Sequence, residues 1–256
     1  MTQPAAAGVT VVVPVYNAPG ALAECIASLQ RTLPVQARAL LIDDASPAPE
    51  VAEVLATIAP DDNRFRVWRN ARNCGFVATC NRGMAAAAGD VVLLNQDTVV
   101  TSGWLQALER CAASAPDVAT VTPLTNNGEI ASFPDFCRAN PWPGDPERVA
   151  AACRNAGPPA YPELPTAVGF CMYVTRMALT RLGGFDPAFG HGYGEENDFS
   201  RRAVAAGMRN LLCDDAYVAH RGGQSFSEIG LAPNSEAMQR VLERHPDYLD
   251  VVQTFI

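Results

Sequence analysis

The stretch GVTVVVPVYN, residues 8–17, decides the fold class. Within it, Val9–Val13 is a nearly unbroken run of β-branched apolar residues, which predicts a strand buried on both faces. The alanine-rich segment Pro19–Leu33 follows and predicts a helix, with a proline suited to its first turn. A doubly buried strand followed by a helix is typical of a parallel sheet.

The same alternation continues to about residue 122. It predicts further strands at Ala39–Ile42, Phe65–Trp68 and Val91–Leu94, and helices at Glu50–Ile58 and Cys74–Ala88. Strands that alternate with helices form a mostly parallel central sheet with helices on both faces. We therefore predict an α/β fold whose ligands bind at the carboxyl ends of the strands.

The alternation breaks after Thr122. The segment 123–165 is rich in proline and has little periodicity, so we expect a long irregular excursion or lid there. Beyond it, the pattern predicts strands at Ala167–Thr175 and Leu211–His220, and helices at Arg176–Leu182, Glu195–Ala206 and Glu236–Glu243.

The composition excludes several classes of function. All 19 basic residues are arginine, so the chain has no lysine for a Schiff base, a phosphate-binding loop or a kinase site. The formal net charge of −8 argues against nucleic acid as a partner, because binding a phosphate backbone needs clustered cations. Pyridoxal enzymes, kinases, Walker-type ATPases and nucleic-acid-binding proteins are thereby set aside.

The eight cysteines indicate a reducing compartment. They never form a C-x-x-C pair and lie in apolar surroundings, as buried free thiols do. No apolar run approaches the ~18 residues of a membrane-spanning helix. We therefore expect a cytoplasmic protein without a transmembrane segment, and leave open its peripheral association with the inner face of a membrane.

Polar residues follow three of the predicted strands, at the points where those strands end. Tyr16 and Asn17 follow the first strand, Asp43–Ser46 the second, and Asn95–Asp97 the fourth. A carboxylate at this sheet edge accepts from a base N–H or a ribose hydroxyl, and one such as Asp97 suits a divalent cation beside a diphosphate. Each segment alone is explained as well by a turn or helix cap, but three at one edge favour a ligand site.

Two more candidates lie in the second half of the chain. Glu195–Asp198 places three carboxylates at the start of a predicted helix, which the helix dipole alone favours. Their mutual repulsion and the preceding loop Gly190–Gly194 also suit a general base beside a mobile loop. His220 ends a predicted strand, where a packed histidine and a ligand are both open interpretations.

Six motifs occur in an order that resembles family 2 of the inverting glycosyltransferases: VVVPVYN (11–17), DDAS (43–46), NCGF (73–76), LLNQD (93–97), GFD (184–186) and GEEND (194–198). The resemblance implies a GT-A fold, in which a Rossmann-like parallel sheet joins an acceptor-binding C-terminal part. It divides a single compact domain into a nucleotide-sugar-binding half, residues 1–122, and an acceptor-binding and catalytic half, residues 123–256. It also implies Mn²⁺ or Mg²⁺ as the cofactor.

The resemblance assigns roles on the donor side of the site. Pro14 and Tyr16 would border the nucleotide, and Asp44 would bind a uracil or thymine ring. Asn73 would lie near the donor phosphates. Asp97 corresponds to the last carboxylate of the D-x-D motif of the family, the one that binds the metal.

Further roles follow from the same motifs. Asn95 stands at the first position of the D-x-D motif and is expected to contact the sugar or ribose, while His220 would complete the metal shell. Glu196 stands where the family usually has the aspartate that acts as base, and Glu195 is the alternative. Asp198 lies about 200° further around the helix and should serve structure or acceptor binding.

The resemblance implies transfer of one sugar from a UDP- or dTDP-sugar to a hydroxyl of a glycan or lipid-linked glycan, with inversion, in bacterial surface polysaccharide assembly. The Q-x-x-R-W motif of processive synthases is absent, which favours addition of a single sugar. The alternative is a catalytically weak, glycosyltransferase-like domain that only binds nucleotide sugar. A Rossmann dehydrogenase is set aside because no G-x-G-x-x-G follows the first strand.

Overall fold

The computed structural model describes residues 8–222 and 235–256. Its first half contains β1 Thr10–Val15, α1 Pro19–Thr32, β2 Arg38–Asp43, α2 Pro49–Leu55, β3 Phe65–Arg69, α3 Phe76–Ala86 and β4 Val91–Leu94. These are the elements expected from the sequence, with small shifts at their ends. The predicted alternation of strands and helices is confirmed up to residue 94.

The rest of the described chain adds the second half of the sheet and its covering helices. Its elements are β5 Thr98–Val100, α4 Trp104–Ala112, β6 Val118–Leu124, α5 Pro146–Asn155, β7 Glu163–Leu164, β8 Cys171–Val174, α6 Arg176–Leu182, α7 Glu195–Ala205, β9 Arg209–His220, α8 Ser235–Arg244 and α9 Tyr248–Phe255. Among these residues, no helix combines the length and the apolar composition that crossing a bilayer requires.

The nine strands of the described residues form one mixed sheet in the order β3-β2-β1-β4-β8-β6-β9-β5, and β7 pairs with β9. The first four strands of this order are mutually parallel, as predicted. β8 runs antiparallel to both β4 and β6, and β6 is parallel to β9. The carboxyl ends of β1, β2, β4 and β9 therefore lie at the same edge of the sheet.

Helices cover both faces of β1. Val11 and Val13 pack with Leu22 of α1 in one hydrophobic cluster, whereas Val12 packs with Val77 of α3 in another. Successive residues of a strand point to opposite faces, so an unbroken apolar run is buried on both sides. β1 thus places the segment that follows it at the sheet edge, between the ends of β2 and β4.

The expectation of an irregular excursion over residues 123–165 is wrong in part. β6 continues to Leu124, and α5 forms a regular helix within the segment. The Asp145 side chain caps this helix by accepting hydrogen bonds from the N–H groups of residues 147 and 148. Pro146 occupies the first turn, where a missing N–H costs nothing. One of the prolines that suggested irregular structure therefore begins a helix.

The predicted strand Ala167–Thr175 is shorter in the structure, where β8 begins only at Cys171. The Ala167 N–H donates to Ser200 Oγ at 2.9 Å, and the Val168 N–H donates to Thr122 Oγ1 at 3.2 Å. These side chains replace strand partners, and they hold the backbone of residues 166–170 in a loop at the sheet edge.

The predicted division between residues 122 and 123 falls inside β6. The two halves share one sheet, and their separate functions remain a prediction. The predicted halves, 1–122 and 123–256, include residues 1–7 and 223–234, which lie outside the described residues.

Candidate active site

A cavity of about 420 Å³ opens at the carboxyl ends of β1, β2, β4 and β9. The start of α7 and the loop of residues 166–170 contribute to its lining. All the site residues expected from the sequence line this cavity: Pro14, Tyr16, Asp44, Asn73, Asn95, Asp97, Glu195, Glu196 and His220. The structure brings these residues together, and the role of each remains a prediction.

Gln96 holds the loop after β1. Its Oε1 accepts a hydrogen bond from the Tyr16 N–H at 3.0 Å, and its Nε2 donates to the carbonyls of Tyr16 and Asn17 at 2.8 and 3.0 Å. Asn17 and Ala18 have φ angles of 52° and 49°, a left-handed conformation that residues other than glycine rarely adopt. The buried Gln96 thus stabilises an unfavourable turn that presents Tyr16 to the cavity. Sequence reasoning included Gln96 only as part of a motif.

Asp44 follows β2 and is buried. Its Oδ1 accepts from Asn70 Nδ2 at 2.6 Å and from the Cys74 N–H at 2.9 Å, and its Oδ2 accepts from the Gly75 N–H at 2.8 Å. An ionised carboxylate has about four acceptor sites, so about one remains for a ligand. Asp44 therefore fixes the loop that carries Asn73 and also faces the cavity.

Asp97 and His220 meet although they are far apart in the chain. β5 begins directly after Asp97 and pairs antiparallel with β9, so that Thr98 lies opposite His220. This pairing places Asp97 Oδ1 3.4 Å from His220 Nε2, and only 6% and 13% of the two side chains are exposed.

The surroundings of His220 include three residues that sequence reasoning did not assign to the site. Its Nδ1 lies 2.7 Å from the carbonyl oxygen of Asn127, and its backbone N–H and C=O both bond to the side chain of Asn126. Phe170 stacks on the ring, with a centroid distance of 5.2 Å. Burial lowers the pKa of His220, but the Asp97 carboxylate and the Asn127 carbonyl outweigh burial, and the pKa is raised.

The Asp97–His220 pair fits a divalent cation as part of its ligand shell. Carboxylate oxygen and imidazole nitrogen are both ligands of such ions, and with the Asn127 carbonyl against Nδ1 it is Nε2 that faces Asp97. Within residues 8–222 and 235–256, no group of three His, Cys, Asp or Glu side chains can hold an ion. Substrate oxygens and water are suitable further ligands for such an ion.

Glu195 and Glu196 begin α7. Glu195 is 4% exposed and Glu196 is half-buried, and the Oε2 atom of each is shielded without a hydrogen-bond partner in the described part of the chain. Burial raises the pKa of both carboxyls, that of Glu196 to about 7, and the charge of Glu196 raises the pKa of Glu195 further. A carboxyl that titrates near neutral pH suits a general base.

The two glutamates face different parts of the molecule. The charge of Glu195 adds to burial in raising the pKa of Cys80 on α3, so Glu195 lies on the side of the first half. The carboxyl carbon of Glu196 lies 3.7 Å from the point where a side chain at Gly169 would begin. Burial and then the charge of Glu196 raise the pKa of Tyr248 on α9. Glu196 therefore lies on the side of the second half.

Asp198 points away from the glutamate pair. Its Oδ2 accepts from Arg202 Nε at 2.8 Å, and its Oδ1 lies 3.1 Å from His245 Nε2 and 3.3 Å from an Arg244 terminal nitrogen. These contacts tie α7 to the end of α8. Of the two uses expected for Asp198, the structure supports the structural one.

Comparison with known proteins identifies the family. The model of Glycosyl transferase family 2 matches residues 10–182, more than half of the chain. The O-antigen biosynthesis protein RfbC of Myxococcus xanthus is 36% identical over 85 residues, which cover 33% of this chain and 7% of RfbC. Glycosyltransferase GlyG of Streptococcus pneumoniae serotype 4 is 27% identical over 101 residues, 39% of this chain and 33% of GlyG. The matched stretches span a third or less of these relatives.

Solved structures share the fold at low sequence identity. GalNAc-T7 with UDP, GalNAc and Mn²⁺ has a TM-score of 0.71 and 19% identity, covering 94% of this chain and 48% of that chain. Mannosyltransferase PcManGT from Pyrobaculum calidifontis, in complex with GDP-Man and Mn²⁺, has a TM-score of 0.59 and 18% identity, covering 94% and 69%. The fold is therefore GT-A, as expected. With a family model that matches more than half of its length, the chain belongs to glycosyl transferase family 2.

Proposed function

We propose that the protein transfers one sugar from a UDP- or dTDP-sugar to a hydroxyl of a glycan or lipid-linked glycan, with inversion. The observation that carries this proposal is a single cavity that holds both the Asp97–His220 pair and the buried carboxyls of Glu195 and Glu196. The nucleotides and Mn²⁺ in the two solved structures support a nucleotide-sugar donor. The name of RfbC supports a role in bacterial surface polysaccharide assembly.

The loops after β1 and β2 would hold the nucleotide. The remaining acceptor site of Asp44 matches the ring N3–H of uracil or thymine, whereas adenine has no ring donor on that edge. Pro14 and Tyr16 would border the nucleotide. Asn73, whose Oδ1 accepts from the Gly75 N–H at 3.0 Å, would lie near the phosphates.

Asp97 and His220 would hold Mn²⁺ or Mg²⁺ together with oxygens of the donor diphosphate. When bound, the cation would stabilise the negative charge of the departing diphosphate. Asn95 supplies a buried Oδ1 that has no hydrogen-bond partner among the described residues. That oxygen would accept a hydrogen bond from a hydroxyl of the ribose or the donor sugar.

Glu196 would accept the proton of the acceptor hydroxyl, with Glu195 as the alternative base. As the acceptor oxygen bonds to the anomeric carbon, the bond from that carbon to the diphosphate oxygen breaks. The nucleoside diphosphate leaves with the electron pair of this bond. Attack on the face opposite the leaving group inverts the configuration at the anomeric carbon.

A panel of donors tests this proposal. UDP-, dTDP-, GDP- and ADP-sugars are titrated by calorimetry with Mn²⁺ present, and release of nucleoside diphosphate is followed with and without a glycan acceptor. We expect binding and slow release for a UDP- or dTDP-sugar. Equal binding of an ADP-sugar would contradict the role of Asp44, and a product with retained configuration by NMR would contradict inversion.

A second candidate function rests on Asn95, which leaves the D-x-D position with one carboxylate fewer. Such a site would bind nucleotide sugar without turning it over. Binding of a donor with no nucleoside diphosphate released, with or without Mn²⁺, would favour this binding domain over a transferase.

A further inference from the structure

We propose that Asn126 and Asn127 are positioning residues for His220, which fix the orientation and the tautomer of its imidazole so that Nε2 is the atom offered to a divalent cation. The proposal rests on the proposed function in one respect, the cation site formed by Asp97 and His220. Both asparagines lie in the proline-rich segment, just beyond the end of β6.

Asn126 holds the backbone of His220. Its Oδ1 accepts from the His220 N–H at 2.9 Å, and its Nδ2 donates to the His220 carbonyl at 2.9 Å. This reciprocal pair imitates the bonds of a neighbouring strand at the end of β9. Asn126 is 4% exposed, and its own carbonyl accepts from the Asn140 N–H at 2.8 Å, so its position is fixed from both sides.

Asn127 determines which ring nitrogen carries the proton. Its carbonyl oxygen lies 2.7 Å from His220 Nδ1, and a carbonyl can only accept a hydrogen bond. A neutral imidazole has one N–H, so a proton on Nδ1 leaves the lone pair of Nε2 free. Asp97 Oδ1 is the competing acceptor and lies 3.4 Å from Nε2, so the shorter contact of Nδ1 with the Asn127 carbonyl favours the proton on Nδ1.

Two further contacts restrict movement of the ring and of Asn127. Phe170 stacks on the His220 ring at an interplanar angle of 22°, which opposes rotation of the imidazole. The side chain of Asn127 occupies the space that a side chain at Gly222 would need. The contact with Gly222 therefore restricts the position of Asn127, whose carbonyl lies against Nδ1.

Ring ¹⁵N NMR tests the proposal, because the chain has three histidines and their signals can be assigned. At a pH where the ring is neutral, we expect His220 of the wild-type protein to carry its proton on Nδ1. Mn²⁺, titrated alone and with UDP, should broaden the His220 signals through its paramagnetism. Asn126→Asp keeps the size and the acceptor but removes the donor and places a carboxylate against the His220 carbonyl.

In Asn126→Asp we expect a mixture of the two tautomers and a ~10- to 100-fold weaker affinity for Mn²⁺. The matched control is Asn210→Asp on β9, the strand that ends at His220. Asn210 is a buried asparagine that bonds Thr120 and Ser200. The control should lose stability without changing the tautomer of His220 or its response to Mn²⁺.

A wild-type ring protonated on Nε2 would overturn the proposal, and so would equal Mn²⁺ affinities for Asn126→Asp and Asn210→Asp. Wild-type protein whose His220 signals do not respond to Mn²⁺ would overturn the cation site of the proposed function as well, so the two failures are distinguishable. If Asn126→Asp does not fold, Asn126→Ala takes its place, and the wild-type tautomer alone can still overturn the proposal.

Discussion

At the scale of single residues, the proposed role of Glu196 as general base depends on its carboxylate. Glu196→Gln keeps the size of the side chain but removes its ability to take a proton. We expect kcat to fall by ~10²–10⁴, the usual effect of losing a general base, with donor affinity unchanged. Steady-state rates and calorimetry on this variant and on the matched control Glu195→Gln test the assignment. Loss of activity only in Glu195→Gln would make Glu195 the base. If both variants stay active, neither glutamate is the base, and the pair serves only to begin α7.

The raised pKa of Glu196 also predicts how stability depends on pH. The folded protein holds this proton up to about pH 7, whereas an unfolded chain releases it near the ordinary value of 4.5. The stabilisation is complete below that lower value and is lost as pH rises through the higher one, at roughly 1.4 kcal/mol per pKa unit. Urea unfolding should therefore show Glu196→Gln gaining stability over the wild type at pH 8 but not at pH 4. An equal gain at both pH values would contradict the prediction.

At the scale of elements, the loop between β1 and α1 depends on a side chain from the β4–β5 connection. Gln96→Glu removes the amide donor and turns a carboxylate toward the carbonyls of Tyr16 and Asn17. An unsatisfied buried polar group lowers the free energy of unfolding by about 1–3 kcal/mol, and in this variant it destabilises the left-handed turn at Asn17 and Ala18. We expect KM for the donor to rise more than kcat falls. Gln30→Glu on α1, away from the residues that line the cavity, is the control, and an equal rise in its KM would contradict the prediction.

At the scale of the whole molecule, cation and nucleotide should bind cooperatively, because two protein ligands make a weak site. Each ligand alone should stabilise little, whereas Mn²⁺ and UDP together at ~100 times Kd should add about 2.7 kcal/mol. That increment corresponds to a rise of roughly 5–11 °C in Tm, measured by calorimetry. Asp97→Asn should remove the joint effect and leave the effect of UDP alone. Full activity in EDTA would contradict the metal dependence.

Local sequence patterns correctly predict most of the strands and helices of the first half of the chain. The apolar run Val9–Val13 predicts a buried strand, and the residues that follow a buried strand lie at the edge of the sheet. Hydrogen bonds between residues far apart in the sequence have no local pattern that predicts them. Gln96 bonds Tyr16, 80 residues away, and Asn126 bonds His220, 94 residues away. The helices α4, α5 and α9 were not predicted. In the case of α5, the capping residue Asp145 stands among prolines that suggest irregular structure.

The place of β5 in the sheet affects how the protein is made. Among the described strands, β5 pairs with β9 alone, so β5 has its strand partner, and Asp97 its neighbour His220, only when β9 is in place. On the ribosome the chain emerges from its amino terminus, and the parallel strands can assemble long before β9 is synthesised. A nascent chain that ends before β9 holds Asp97 without His220. The proposed cation site would therefore be completed late in translation, and a fragment cut at residue 122 should lack it.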